Sequence, residues 1–108
     1  MTWIFNGDLV DRGDHACEIV LLIFALKLKH PKHVFVNRGN HEEPHINIYS
    51  GFEEECTAKY DHRVFQMFHA AFVWLPYACR VNGKTLVLHG GLPRDETVSI
   101  KDIRDIAR

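Results

Sequence analysis

Apolar positions along the chain fall into short blocks and one long one, separated by polar turns. Trp3, Ile4 and Phe5 make a brief apolar run that stops at Asn6-Gly7, which predicts a strand over residues 2–6. Between Ala16 and Lys29 apolar residues recur at helical spacing. Ile19, Leu22, Ile23 and Leu26 share a face, and Val20, Phe24 and Leu28 widen it, so a helix buried on more than one side is expected. Asp14 is its expected N-cap. Lys27, Lys29 and His30 complement its C-terminal dipole, and Pro31 ends it.

Val34-Phe35-Val36 predicts a second buried strand, whereas residues 42–50 are polar, contain Pro44, and read as a loop or broken turn. A helix is expected from Glu53 to Tyr60, after Gly51, and another from the N-cap Asp61 to about Phe72. In the latter, Val64, Phe65, Phe68 and Phe72 share a face. Tyr77 to Val81 and Thr85 to Leu88 predict a hairpin around Asn82-Gly83. Residues 99–107 begin a helix capped by Ser99, with Ile100, Ile103 and Ile106 along one side. Helices alternating with buried strands give an α/β class, and the hairpin makes its sheet partly mixed.

Composition narrows the function classes. The 108 residues are 46% hydrophobic, which supports a packed core in one domain or part of one. Lys+Arg is 13 against 14 for Asp+Glu, so there is no basic footprint for nucleic acid. The longest apolar run, Ile19 to Leu26, is short of the roughly 20 residues that a membrane helix needs. Cys17, Cys56 and Cys79 are odd in number and include no Cys-x-x-Cys, which points to a reducing compartment, cytoplasmic or nuclear. Eight histidines raise the expectation of metal or acid–base chemistry. The chain starts in a strand without lead-in and stops in a helix barely begun, as a segment of a larger domain would.

Three strands end alike. Trp3-Ile4-Phe5-Asn6 runs into Gly7-Asp8, Val34-Phe35-Val36-Asn37 into Arg38-Gly39-Asn40-His41, and Thr85-Leu86-Val87-Leu88 into His89-Gly90-Gly91. Each delivers a ligand-type side chain beside glycine at the carboxyl end of a strand, where open α/β sheets bind ligands. Asp8 offers a hard anionic oxygen, Asn40 a neutral amide oxygen, and His89 an imidazole nitrogen. Arg12 offers a permanently charged fork for phosphate, and His41 a ligand or general acid. Taken singly, these strings also fit a capped turn, an exposed polar loop and a structural histidine. Their recurrence at three strand ends points to one convergent site.

Gly7-Asp8-x-Val10-Asp11-Arg12-Gly13, Arg38-Gly39-Asn40-His41-Glu42 and His89-Gly90-Gly91-Leu92, with Gly51-Phe52 and Trp74-Leu75-Pro76 between them, resemble the phosphoprotein phosphatase family of metal-dependent serine/threonine phosphatases. Phe5-Asn6-Gly7-Asp8 and Asn37-Arg38-Gly39 most resemble its phosphatase-5 and EF-hand phosphatase branches. The resemblance implies part of a calcineurin-like metallophosphoesterase sandwich, with mixed sheets flanked by helices. It implies hydrolysis of phosphoserine and phosphothreonine by a water that two metal ions (Mn, Fe or Zn) activate, on a phosphoprotein substrate and with possible regulatory subunits. By the same resemblance Asp8 bridges the metals, and Asn40 and His89 ligate one of them. Arg12 and Asn40 bind phosphate, His41 is the general acid oriented by Asp11, and Arg38 and Glu42 are supporting residues.

The family's Gly-Asp-x-His-Gly motif, a late His ligand and a second phosphate Arg do not occur in the chain. Residues 1–108 are therefore expected to be a central catalytic-domain segment that binds metal weakly and turns over poorly. A non-catalytic partner-binding protein and a small-molecule metallophosphoesterase are the alternatives. Ser50 stands where the family carries an aromatic residue. His30, His33, His45, His62 and His69 match no ligand position and read as surface or packing residues.

Overall fold

In the computed structural model, which describes residues 1–108 throughout, β1 (Trp3–Asn6) and β2 (Val34–Asn37) run in parallel. The register pairs Trp3 with Val34 and Asn6 with Asn37, so both strands end at the same level. A parallel pair needs a crossover, and α1 (Ala16–Lys29) supplies it. The hairpin of β3 (Ala78–Val81) and β4 (Thr85–Leu88) forms a second, antiparallel sheet. Asn82 and Gly83 turn it with φ of 51° and 69°, the left-handed geometry that Asn and Gly supply most readily.

The expected mixed sheet is thus a parallel pair and an antiparallel pair rather than one continuous ladder. Two asparagines knit them together. Asn37 Nδ2 donates to Asn6 Oδ1 at 2.8 Å and to the Val87 carbonyl at 3.0 Å. Asn6 Nδ2 donates to the Leu88 carbonyl at 3.1 Å. These bonds bring the ends of β1, β2 and β4 to one place.

The core lies between α1, the parallel pair, α3 (Phe52–Lys59) and α4 (His62–Phe72). Phe52 stands at its centre, with the rings of Phe65, Phe68 and Phe72 at 5.8, 5.4 and 5.9 Å in tilted or edge contact. Helix α4 starts at Asp61, as predicted, where the carboxylate accepts the Val64 N–H at 2.8 Å. The short α5 (Ile100–Arg104) also starts at its predicted cap. Asp102 accepts the Ser99 N–H at 2.7 Å in a capping box, but the helix ends before Ile106.

Three expectations are corrected. Residues 42–50 are not a loop: a 3-10 turn over Asn40–Glu42 leads into α2 (Pro44–Ser50). Pro44 sits in the first turn of α2, where its missing N–H costs nothing. Asp14 does not cap α1. Glu55 reaches across from α3 and accepts the Ala16 and Cys17 N–H groups at 3.1 and 2.9 Å. Finally, α1 buries Ala16, Cys17, Val20 and Ile23, whereas Ile19, Leu22 and Leu28 are exposed. In a helix that is apolar all round, periodicity alone cannot choose the inner face.

Candidate active site

The loop after β1 departs from ordinary backbone. Asp8, Asp11 and Arg12 have φ of 56°, 75° and 60°, a conformation that costs a non-glycine residue on the order of 1–3 kcal/mol. Glu42 over-determines it. Its carboxylate, fully buried, accepts the Asp8 N–H at 2.9 Å, the Leu9 N–H at 2.6 Å and the Gly39 N–H at 2.7 Å. The two loops cross at glycines. A Cβ on Gly7 would lie 2.6 Å from the Gly39 backbone and 2.8 Å from His89 Nδ1, and one on Gly39 would lie 2.5 Å from Asp8 Oδ1. No side chain fits at either position.

Asp8, Asn40 and His89 meet at this crossing. His89 Nδ1 is 2.6 Å from the Asn6 carbonyl oxygen, which can only accept, so Nδ1 carries the proton. Nε2 then presents its lone pair, 3.2 Å from Asp8 Oδ1 and 3.0 Å from Asn40 Oδ1. Three lone-pair atoms face one another, an arrangement that repels until a cation or an added proton enters it. A carboxylate, an amide oxygen and an imidazole held through its other nitrogen are a fitting donor set for a divalent or transition metal. No three His, Cys, Asp or Glu side chains gather in metal-holding geometry anywhere in the chain; the trio is completed by an amide.

His41, Asp11 and Arg12 form the adjoining group. Asp11 Oδ2 lies 2.6 Å from His41 Nδ1, and Asp11 Oδ1 accepts the Phe52 N–H at 3.0 Å, with the carboxylate fully buried. Arg12 Nη2 donates to His41 Nε2 at 3.2 Å and lies 3.8 Å from Asp8 Oδ2. The guanidinium can only donate, so His41 holds its proton on Nδ1, toward Asp11. With its side chain 72% exposed, Arg12 can turn to a ligand at little cost. A cleft of about 360 Å³, lined by Arg38, Asn40, Tyr77, Leu88 and Gly91, opens on the Asn40 side of the group. Arg38 is tied to Glu43 at 2.7 Å at its edge.

Every site residue predicted from the sequence therefore lies in one region, in two adjoining groups. Sequence reasoning missed two others. Asn47, fully buried on α2, donates to the His41 carbonyl at 3.0 Å, and His69 on α4 lies 3.0 Å from Asn47 Oδ1. Asn47 falls within the stretch that reads as loop, and His69 among the histidines that read as surface or packing residues. The aromatic stripe of α4 was the only signal pointing inward at that position.

The chain matches the calcineurin-like phosphoesterase family over residues 2–108. It is 49% identical over 107 residues to serine/threonine-protein phosphatase T of Saccharomyces cerevisiae, covering 99% of this chain and 21% of that protein. Identity to serine/threonine-protein phosphatase 5 of Homo sapiens is 46% over 106 residues, covering 98% and 21%. A solved protein serine/threonine phosphatase from Saccharomyces cerevisiae, described as similar to human phosphatase PP5, superposes with a TM-score of 0.96 at 48% identity. That match covers 99% of this chain and 34% of the solved one. The chain spans about a fifth of the length of the curated relatives it matches, 21% in both cases. Fold, crossing loops and relatives agree: the chain belongs to the calcineurin-like phosphoesterases, beside the serine/threonine-protein phosphatases T and 5, in a family that implies divalent metal ions.

Proposed function

We propose that this site serves the hydrolysis of phosphoserine and phosphothreonine in proteins. It does so with two divalent or transition metal ions (Mn, Fe or Zn), one of them held by Asp8, Asn40 and His89. The observation that carries the reading is the set of three facing lone pairs next to an imidazole–carboxylate pair. Such ions supply Lewis acidity toward phosphoryl oxygens and lower the pKa of water.

The chain's own residues do the rest. Asp8, whose Oδ2 lies 3.8 Å from Arg12 Nη2, would also help to hold the second ion. Arg12 binds phosphate oxygens through its fork, and Asn40 adds an amide N–H. When Arg12 turns to phosphate, His41 Nε2 is released. Asp11 keeps the Nδ1 proton in place, aims the ring and stabilises the imidazolium. Freed from Arg12, Nε2 takes up a proton from solvent, and that proton passes to the departing serine or threonine oxygen, a poor alkoxide leaving group without it. The cysteines, all free, support work in a reducing compartment, cytoplasmic or nuclear.

The test is a chimera in which residues 2–108 replace the matching segment of the yeast phosphatase T. Mn-stimulated phosphate release from a phosphoserine peptide is expected, and His41→Gln should lower kcat by about 100-fold or more. A folded chimera that leaves the peptide intact, or that cleaves a dinucleotide in preference, contradicts the proposal.

A further inference from the structure

His41 is fixed from three directions. Asp11 holds its ring, Asp8 Oδ1 accepts its N–H at 3.2 Å, and Asn47 Nδ2 donates to its carbonyl at 3.0 Å. The third contact settles the orientation of Asn47 and of a residue beyond it. A backbone carbonyl only accepts, so the amide nitrogen must face His41 and the amide oxygen must face His69. His69 Nε2, 3.0 Å from Asn47 Oδ1, must therefore be the donor. Its Nδ1 is buried with no partner, which costs far less for a neutral ring than for a charged one. Burial also holds the His69 pKa below its ordinary value. The ring is wedged at 4.6 Å from Phe65 and 5.5 Å from Phe72, in edge contact with both.

We propose that His69 and Asn47 are positioning residues: a neutral, Nε2-protonated His69 locks Asn47, and Asn47 fixes the backbone of His41. The proposal rests on the reading of His41 as the general acid. It makes the phenylalanine core a scaffold for both ends of that residue. Phe52, packed against Phe65 and Phe72, donates its N–H to Asp11, while Phe65 and Phe72 clamp His69.

Nitrogen-15 NMR of the histidines in the 108-residue chain tests it without turnover. His69 should be the neutral Nε2–H tautomer at neutral pH. The His41 Nδ1–H resonance should persist in His69→Gln, which keeps a donor at that place, and broaden in His69→Leu. In the chimera, His69→Leu should lower kcat on a phosphoserine peptide by about tenfold, with KM within about twofold. An aryl phosphate, whose leaving group needs no proton, should be affected far less, and His69→Gln should recover most of the loss. An Nδ1–H tautomer, a charged His69, an unchanged His41 resonance in His69→Leu, or equal losses on both substrates would overturn it. A chimera without any phosphatase activity would sink the functional reading alone, since the NMR result still decides whether His69 positions His41.

Discussion

One buried carboxylate, Glu42, ties the Asp8 loop to the Asn40 turn by three backbone N–H groups. In Glu42→Gln an amide NH₂ would confront an N–H donor inside the protein. We expect a loss of about 2–3 kcal/mol in denaturant titrations, with weakened metal binding by the same protein. At Cys17 the environment acts on a thiol. Burial first, then the neighbouring Cys56 and Glu55, pushes its pKa from 9.0 up to about 12. Cys17 should resist iodoacetamide at mildly alkaline pH while the half-buried Cys79 reacts, as read by mass spectrometry. The raised value also sets a sign. Above about pH 9 the unfolded chain releases a proton that the folded chain retains, so stability should fall as pH climbs toward 12. At this scale Asp8, Asn40, His41 and His89 were legible because their chemical types recur at strand ends, Arg12 because its fork follows the first of them, and Asp11 through the family resemblance. Asn47 and His69 were not, because a buried amide and a core imidazole leave no mark until the packing is known.

Helix starts divide into those capped by their own sequence and those capped from afar. Asp61 caps α4 locally, and Asp61→Ala should cost about 1 kcal/mol in thermal or chemical unfolding. Helix α1 depends instead on Glu55 of α3. Burial alone would raise the Glu55 pKa, but the N–H bonds from Cys17 and Ala16 and the contact with Lys59 outweigh it, so the carboxyl sits below its ordinary value. Its contribution is therefore present above the ordinary carboxylate range and is lost as pH falls through the folded value. Glu55→Ala should cost about 1–3 kcal/mol, more than loss of the local cap, and the difference should shrink in acid. The local cap was readable as Asp before an apolar stripe. The distant one was not, and Asp14, next to the helix, was a plausible wrong choice. Helix α2 escaped because Pro44 was weighed as a breaker rather than as a first-turn residue.

The molecule as a whole is more extended than a compact domain of its length, 43 × 32 × 22 Å along its principal axes. Its radius of gyration is 14.7 Å, against about 13 Å for a compact domain of this size. Leu22, Leu28, Trp74 and Leu92 are 61%, 83%, 73% and 79% exposed, which is much apolar surface for 108 residues. The expectation that α1 is buried on more than one side fails within this chain, although the chain spans only about a fifth of its relatives, 21% of yeast phosphatase T. Changing Leu22 and Leu28 to Lys should leave the melting temperature of the isolated chain nearly unchanged and lower its dye binding and self-association. The same changes should destabilise the chimera if that face is covered there, and differential scanning fluorimetry on both proteins reads the contrast.

The site itself is most directly tested by titrating the isotope-labelled chain with Mn²⁺ and following paramagnetic broadening. The first signals to vanish should be those of His89, the Asn40 side chain and the Asp8 backbone, and Asp8→Asn should abolish the effect at the same concentrations. Broadening centred on other histidines, or an undiminished response in Asp8→Asn, would show that these three residues do not share a cation.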